Sequence, residues 1–403
     1  MNAITRKINF EKTYYYLIML FAFTMPLSRA SISLLVILLP ITWLIEGDFK
    51  RKLKDIQNNQ TLLSFLIFIV ITSLSFFWTQ NHEEASRPLR MLLYLSSTFV
   101  IATSLDKKYV NRVISAFLAG MFISEIIAYG VFFEIWQFKH ATPSNPSPFM
   151  FHIDYSVFMA FTSILLLNRM FSPKYGIKEK LFFSMFFMTV TGNLFLATGR
   201  TGQVALILAI VVMSVIHFRL SIKSILISIL LILVIYATAY NVSNSFKTRS
   251  QMAINDIENI LNLDFNNSWG IRAAYWITTF NIIKENPFGV GIGDYKDATE
   301  LELERKKYNG LVSAETKIFM ADSHPHNQYL LIVLQSGFIG LLSFFYFIYR
   351  FVKLKIDDVE LKELSILFIT IFLVSFLAEP LLIKQFTVSL FALFIGLFIS
   401  IST

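Results

Sequence analysis

The feature that most constrains this chain is a series of apolar segments that are long enough, or nearly so, to cross a lipid bilayer. The hydrocarbon core of a bilayer is about 30 Å thick, so a transmembrane helix needs about 20 mostly apolar residues. The segments lie at residues 14–28, 30–46, 61–78, 91–105, 112–133, 150–167, 181–198, 202–217, 221–241, 327–349, 361–378 and 386–402. This pattern predicts an all-α polytopic membrane protein with about twelve transmembrane helices.

Composition supports the membrane prediction and excludes other classes. Hydrophobic residues make up 55% of the 403 residues and charged residues 15%, whereas soluble domains carry about 25% charged residues. The net charge is +8, but Lys and Arg lie in short clusters between apolar segments, which is typical of topology control. We therefore predict no nucleic-acid partner. The absence of cysteine excludes disulfides and thiolate metal sites.

The distribution of Lys and Arg predicts the orientation, because cytoplasmic loops are enriched in these residues. With the N-terminus inside, the inner connections hold twenty of them, starting with Arg6, Lys7 and Lys12, and the short outer connections hold six. The long loop is left out of the count, since long segments cross the membrane largely regardless of charge. Both termini are therefore predicted to be cytoplasmic.

The predicted spans divide the chain into three parts. Residues 1–241 hold transmembrane helices 1–9, residues 242–325 form one large extracytoplasmic loop, and residues 326–403 hold helices 10–12. The loop is predicted to be partly helical, since apolar residues recur at helical spacing from Gln251 to Leu263. A second helix is predicted from Ile271 to Lys284.

Local signals in the loop predict where this second helix begins and ends. Asn267 or Ser268 can cap its start. The glycine-rich segment from Asn286 to Asp294 predicts a turn after it. Those glycines do not predict a nucleotide site, because no strand precedes them and no Gly-Lys-Ser/Thr follows.

The strongest local pattern is His324-Pro325-His326-Asn327 followed by an apolar helix that contains Gly337 and Gly340. His326 is expected in the first turn of the tenth helix at the outer membrane surface, where a helix N-terminus attracts phosphate. Histidine is also the side chain best suited to accept a proton near neutral pH. The two glycines, three residues apart, are expected to allow close helix–helix contact. The alternative is a capping or interfacial histidine on a glycine-faced helix.

This pattern resembles that of a known family. His326-Asn327, nine residues and then Gly337-x-x-Gly340 is similar to the H-[NSQ]-x9-G-x-x-G motif of bacterial O-antigen ligases, which attach O-antigen to lipid A–core. Twelve helices with a large periplasmic loop before the motif are also typical of that family. The resemblance implies a GT-C-like fold in the bacterial inner membrane with a periplasmic active site. O-antigen polymerases and protein O-oligosaccharyltransferases share this domain, so the acceptor stays open.

Arg200 stands out because it lies in a short outer turn, Thr198-Gly199-Arg200-Thr201-Gly202, between the seventh and eighth predicted helices. An arginine there runs against the positive-inside rule and favours a functional role. The family usually has a small residue followed by Arg-Gly, and this chain departs slightly from that pattern. The alternative is an interfacial arginine that extends its charged end to water.

Arg272 and Trp276, followed by the turn at 286–291, look like the family's loop segment of Arg, a following Trp, and then Pro and a Gly-Val-Gly turn. The alternative is a solvent-exposed arginine. Arg90, in the predicted outer turn before the fourth helix, is a further candidate for substrate binding. Weaker candidates are charges at the outer face or inside the bundle that could simply be paired: Arg87, Glu125, His152, Asp154 and Glu379.

No metal and no cofactor are predicted. His324 with His326 could suggest zinc, but the sequence shows neither an H-E-x-x-H pattern nor an evident third ligand.

The resemblance implies a mechanism and partners. Arg200 and Arg272 would clamp the diphosphate of an undecaprenyl-diphosphate-linked glycan, and His326 would take the proton from the attacking hydroxyl of lipid A–core. The remaining substrate-binding candidates are Asn327, His324, Arg90 and Trp276. Membrane lipids are the other expected partners. An O-antigen polymerase is the alternative enzyme, and a transporter or flippase is the alternative from another class. A transporter is expected to show inverted repeats and broken mid-membrane helices, which the sequence does not indicate.

Overall fold

The structure, a computed structural model, describes residues 9–218, 222–242, 244–308 and 310–402. These residues form α-helices, turns and short 3₁₀ helices, and no β-strand occurs among them. In chain order the helices are α1 (Phe10–Thr24), α2 (Arg29–Glu46), α3 (Phe49–Asn58), α4 (Gln60–Leu74), α5 (His82–Ser104), α6 (Val110–Phe132), α7 (His152–Phe171), α8 (Ile177–Leu196), α9 (Arg200–Phe218), α10 (Ile222–Val242), α11 (Asn244–Leu261), α12 (Ser268–Glu285), α13 (Tyr295–Leu303), α14 (Ala314–Asp322), α15 (Gln328–Val352), α16 (Val359–Phe376) and α17 (Gln385–Ser400).

The all-helical prediction is confirmed, and each predicted span overlaps a helix: α1, α2, α4 to α10, and α15 to α17. Within the described ranges, five helical segments are apolar and long enough to cross a membrane by length and composition alone. These are Arg29–Glu46, Gln60–Trp78, Lys107–Phe132, Arg200–Phe218 and Gln328–Val352. Twelve transmembrane helices remain a prediction. Arg6, Lys7, Arg219 and the first residue of the predicted ninth span, residue 221, lie outside the described residues.

Two helix starts differ from the predictions. Helix α5 begins at His82, well before the predicted fourth span, so Arg87 and Arg90 lie inside a helix and not in an outer turn. Asn81 makes this early start possible, because its side-chain oxygen accepts a hydrogen bond from Glu84 N at 3.1 Å and caps the helix. Helix α3 was not predicted, since its run of lysines and arginines was interpreted only as a topology signal.

The apolar core is centred on α17. All residues from Phe386 to Ile399 are buried, as expected for a helix that is apolar on every side. It packs against α5 and α16, and α15 packs against α4. Gly396 permits α17 to approach α5 closely, because a Cβ there would lie 2.8 Å from Cβ of Ile101. This packing brings the start of α15, the end of α16 and the start of α17 together. The candidate site lies at this end of the bundle.

The segment predicted as a large loop contains α11 to α14. Helices α11 and α12 confirm the two helices predicted there, and Asn267 caps α12 by accepting a hydrogen bond from Gly270 N at 2.7 Å. The segment has its own apolar cluster, formed by Phe265, Ala274, Tyr275, Leu303, Tyr308, Val312 and Met320. Burial of these side chains stabilises a packed unit instead of a flexible linker.

The prediction that Gly337 and Gly340 allow close contact between two helices is wrong for Gly337. Gly337 has φ +66° and interrupts α15, where the chain kinks. Pro287 and Phe288 of the turn after α12 fill the space beside it, and a Cβ at Gly337 would lie 2.4 Å from Pro287 O. Phe338 N donates a hydrogen bond to this oxygen at 3.3 Å. Gly337 therefore docks the loop onto a broken helix and does not join two straight helices.

Candidate active site

Glu379 is the centre of a charged cluster in the turn between α16 and α17, where it is 1% exposed. His326 Nδ1 lies 3.1 Å from one carboxylate oxygen. Lys384 Nζ lies 2.6 Å from the other oxygen, and His324 Nε2 lies 3.4 Å from it. Burial raises the pKa of Glu379, but the hydrogen bond from His326 and the charges of Lys384 and His324 outweigh burial and lower the pKa to about 2. Both histidines thus face a carboxylate that stays ionised at neutral pH.

His326 lies just before α15 and not in its first turn, as the sequence predicted. Asn327 takes the cap position: its side-chain oxygen accepts hydrogen bonds from two backbone N–H groups of the first turn, at 2.9 and 3.1 Å. Its amide nitrogen donates to Leu377 O at 3.1 Å, which ties α15 to the end of α16. His326 has φ +45°, an uncommon value for a residue other than glycine. The imidazole is thereby left outside the helix, where it contacts Glu379.

Three rings surround the imidazole of His326. Phe319 of α14 stacks on it, with centroids 6.3 Å apart and planes at 13°. Tyr275 of α12 meets it edge-on at 6.1 Å, and His324 lies 4.5 Å away. Tyr275 is itself held by a hydrogen bond from its hydroxyl to Met320 O at 2.7 Å. Helices α12 and α14 therefore fix the orientation of the ring.

Burial lowers the pKa of His324 to about 4, and the charge of Glu379 offsets only part of this effect. His324 is therefore neutral at pH 7. A neutral imidazole beside Glu379 can donate or accept a hydrogen bond without adding positive charge.

Arg272, on α12, belongs to the same centre. Burial lowers the pKa of its guanidinium, and the negative charges of Glu379 and Asp256 act in the opposite direction. The structure thus brings Arg272 into the electrostatic range of the carboxylate that holds His326. Trp276 lies one turn later on α12 and is 52% exposed, so its ring is available to a bound molecule.

The turn with Arg200 packs on the start of α7. Gly202 N donates a hydrogen bond to Ser156 Oγ at 3.1 Å, and Arg200 is the first residue of α9. The same turn of α7 carries Asp154, whose Oδ1 lies 3.8 Å from Lys384 Nζ. Lys384 therefore bridges Asp154 and Glu379, and the turn that carries Arg200 adjoins one end of this bridge.

A cleft of about 1010 Å³ opens beside Lys384 between α2, α5 and α17. Its charged end contains Arg29, Arg87, Arg90 and Lys384, and the lining continues along α2 to the apolar residue Ile41. Twelve residues separate Arg29 from Ile41, which corresponds to roughly 18 Å of helix. The cleft is therefore basic at one end and apolar at the other. A smaller cavity of about 130 Å³ shares Arg87 with the cleft and is lined by His324.

Comparison with protein-family models matches residues 183–345 to the O-antigen ligase family. The chain carries an O-antigen ligase domain. This match supports the family that the His326 motif predicted, and with it a glycosyltransferase-like enzyme of the O-antigen ligase or polymerase type. No curated protein matches the chain significantly.

The O-antigen ligase domain contains Arg200, Arg272, His324, His326 and Asn327, but the centre extends beyond it. Glu379 and Lys384 follow the domain in sequence, and Arg87, Arg90 and Asp154 precede it. The helices before and after the domain thus contribute charged groups to the same centre.

Lys384 and Arg29 are the residues that sequence reasoning missed. Their only signal was that they are basic residues in short outer connections, against the general charge distribution. Glu379 and Asp154 were weak candidates, because a carboxylate in a turn looks the same whether or not a histidine contacts it. Glu125, in contrast, is buried in α6.

Glu379 is a third potential metal ligand beside the two histidines, which the sequence did not indicate. His324, His326 and Glu379 each offer one ligand atom, and these atoms lie within 4.8 Å of one another. The Glu379 oxygen nearest His324 already contacts the ammonium group of Lys384 at 2.6 Å. A divalent cation on this oxygen would meet a like charge, which disfavours its binding.

Proposed function

We propose that this protein is an O-antigen ligase that transfers a glycan from undecaprenyl diphosphate to a sugar hydroxyl of lipid A–core, with inversion and without a metal. The observation that carries the proposal is the hydrogen bond, 3.1 Å long, between Nδ1 of His326, which lies in the matched O-antigen ligase segment, and the buried carboxylate of Glu379, which follows that segment. A carboxylate that orients a histidine is a common arrangement for a general base.

His326 acts as the base in the proposed reaction. Its Nδ1–H donates to Glu379, so Nε2 carries the free electron pair and accepts the proton of the acceptor hydroxyl. The hydroxyl oxygen forms a bond to the anomeric carbon of the donor. The bond from that carbon to the diphosphate oxygen breaks, and its electron pair leaves with the diphosphate. Attack on the face opposite the leaving group inverts the configuration.

Arg200 and Arg272 bind the diphosphate in this proposal. A guanidinium matches two phosphate oxygens at once and stays charged at every accessible pH. Positive charge beside the leaving diphosphate stabilises the charge that builds up in the transition state. The position of Arg272 close to Glu379 supports this role, since it places a cation next to the proposed base.

The cleft beside Lys384 suits the lipid part of the donor. Arg29, Arg87 and Arg90 lie at its basic end, and its apolar end follows α2 for roughly 18 Å. A polyprenyl diphosphate has the same division into a charged head and an apolar chain. Arg90 is therefore proposed to contact the diphosphate, and His324 and Trp276 to line the sugar side. Asn327, predicted from the sequence to bind substrate, is buried and its amide is occupied by the start of α15 and by Leu377 O, so its proposed role is to position His326.

The proposed enzyme lies in the bacterial inner membrane, with its active site on the periplasmic side and both termini in the cytoplasm. In this proposal the nine transmembrane helices before the loop occupy residues 1–241. The periplasmic loop occupies residues 242–325, and the last three transmembrane helices occupy residues 326–403. Lipid-linked O-antigen and lipid A–core meet on the periplasmic face, so the cluster around Glu379 is expected there.

A deletion strain tests the acceptor. We expect lipid-linked polymer to accumulate while lipid A–core stays uncapped, and a plasmid copy of the gene to restore capping. Accumulation of single lipid-linked repeats, with lipid A–core capped by one repeat, would instead identify an O-antigen polymerase. Normal lipopolysaccharide with unglycosylated proteins would identify a protein O-oligosaccharyltransferase.

A further inference from the structure

A second large cleft lies at the end of the helix bundle opposite the active centre. Helix α7 connects the two places: Asp154 in its first turn faces Lys384 of the centre, and Arg169 in its last turn lines the second cleft. Fifteen residues separate them, which corresponds to roughly 22 Å of helix. The charge asymmetry of the sequence predicts that this second end faces the cytoplasm.

The cleft has a volume of about 990 Å³ and is lined mainly by α6, α8 and the turn after α7. Along α8 its lining changes from Lys178 to Phe182 and then Phe186, one helical turn apart each time. Along α6 it changes from Arg112 to Ala119 and then Phe122. Both helices start at the same end, so one end of the cleft is basic and the rest is apolar and aromatic.

Several charges of the lining are already balanced within the protein. Arg169 is buried, with its Nε 4.0 Å from Glu360, and Lys174 is paired with Asp358 and Glu360. Glu179, the acid of the lining, accepts a hydrogen bond from Gly176 N at 2.7 Å and caps its own helix.

Arg112 and Lys178 differ from these residues. Both are exposed, and neither forms an ion pair with any residue that the structure describes. The guanidinium of Arg112 lies over the ring of Tyr109, at 5.9 Å from the centroid. The mouth of the cleft therefore carries two cationic side chains that lack an ion-pair partner among the described residues, together with the carboxylate of Glu179, which is held by its own helix cap.

We propose that this cleft binds one anionic phospholipid of the surrounding leaflet. The phosphate lies between Arg112 and Lys178, and an acyl chain follows the aromatic wall formed by Phe122, Phe182 and Phe186. Basic pockets between transmembrane helices on the cytoplasmic side are suited to anionic headgroups, and each basic residue near the surface contributes about 1 kcal/mol to such binding. The cleft is separate from the active centre, so lipid binding there does not depend on which acceptor the enzyme uses.

The test measures lipid binding to the full chain purified in detergent, by native mass spectrometry with phosphatidylglycerol and with phosphatidylcholine of the same acyl chains. We expect the wild-type protein to retain phosphatidylglycerol in preference to phosphatidylcholine. The double variant Arg112→Gln/Lys178→Gln should bind phosphatidylglycerol roughly 10- to 30-fold more weakly. The control Lys50→Gln/Lys54→Gln removes two positive charges from the exposed face of α3 and should bind as tightly as wild type.

A second variant tests the apolar part of the cleft. Ala119→Trp leaves every charge in place but fills the space between α6 and α8, so it should also weaken phosphatidylglycerol binding. Equal binding by wild type and the double variant, or an equal loss in the α3 control, would overturn the proposal. Competition by soluble glycerol phosphate as effective as that by the lipid would show a phosphate site instead of a lipid site.

Discussion

His326 and Glu379 are 53 residues apart in sequence, yet His326 Nδ1 lies 3.1 Å from Glu379 Oε2. Asn327 makes this contact possible, because it caps α15 in place of His326 and binds Leu377 O just before the turn that carries Glu379. The contact leaves Nε2 as the nitrogen that can accept a proton.

His326→Ala should reduce transfer by about 10²- to 10⁴-fold, the usual loss when a general base is removed. Donor binding should stay largely intact, because the diphosphate is held by the arginines. Glu379→Gln should reduce transfer less, since the amide keeps the shape but no longer stabilises a charged imidazole. The measurement is turnover with purified donor and acceptor, alongside donor binding. An alanine variant that retains most of its turnover would identify His326 as a structural residue only.

The same assay tests the metal-free mechanism, because His324, His326 and Glu379 have the spacing of a metal site. EDTA should leave wild-type turnover unchanged. Loss of activity with EDTA and its recovery with one divalent cation would mean that these residues bind a metal during the reaction.

Arg200→Lys and Arg272→Lys should each lower transfer at least about tenfold although the charge is kept. A lysine offers a single point of contact and does not reproduce the two parallel hydrogen bonds of a guanidinium to phosphate. Arg305→Lys is the control, because Arg305 belongs to the same loop and its ion pairs are with Glu285 and Glu302. If both lysine variants match this control at equal expression, the two arginines have no role in phosphate recognition.

The predicted topology places residue 300 outside the cytoplasm and the C-terminus inside it. A reporter enzyme that is active only in the periplasm should therefore be active when fused after residue 300 and inactive when fused to the C-terminus. The reason is that the predicted inner connections hold twenty Lys and Arg residues, whereas the short outer connections hold six. Activity of the reporter fused to the C-terminus would show that the C-terminus lies in the periplasm and that the predicted orientation is wrong.

Acidification from pH 7 to pH 5 should lower the stability of the protein through His324. Its pKa is about 4 in the folded state and 6.5 ordinarily, so the unfolded chain takes up a proton in this interval while the folded chain does not. Stability is therefore present above about pH 6.5 and is lost as the pH falls towards 4, by about 2 kcal/mol at pH 5. Glu379 adds little in this interval, because its ordinary pKa of 4.5 and its folded pKa of about 2 both lie below pH 5, so its contribution is lost only at lower pH.

Thermal unfolding in detergent at pH 7 and pH 5 measures this effect. His324→Gln should show a smaller decrease in Tm between the two values than wild type does. Equal decreases would mean that other groups cause the acid sensitivity.

Gly337→Ala should destabilise the protein more than Gly310→Ala. Both glycines have positive φ, so each substitution carries the cost of left-handed backbone, about 1–2 kcal/mol. A Cβ at Gly310 meets nothing within 4 Å, whereas at Gly337 it would lie 2.4 Å from Pro287 O. Thermal unfolding should therefore show the larger decrease in Tm for Gly337→Ala, and transfer should fall with it. Equal decreases in Tm for the two variants would mean that packing of the loop against α15 does not depend on the break at Gly337.

The sequence alone determined the features that depend on neighbouring residues. Apolar segments predicted the helices, because the hydrophobicity of a segment and its length are local properties. Asn267 as a possible cap, the turn at 286–294 and the two loop helices were predicted for the same reason, and α11 and α12 confirm the helices. The resemblance of His326-Asn327, nine residues and Gly337-x-x-Gly340 to a known motif indicated the O-antigen ligase family, and the match over residues 183–345 supports it.

The tertiary structure decided which of the charged residues form one centre. Glu379 and Lys384 come from the α16–α17 turn and Asp154 from α7. Only helix packing places Glu379 beside His326 and Lys384 between Glu379 and Asp154. The role of Gly337 was also beyond local reasoning, since a glycine pair three residues apart is typical of close helix packing and equally compatible with a break that receives Pro287. A contact between distant residues depends on how whole helices pack, and hydrophobicity and charge along one segment do not contain that information.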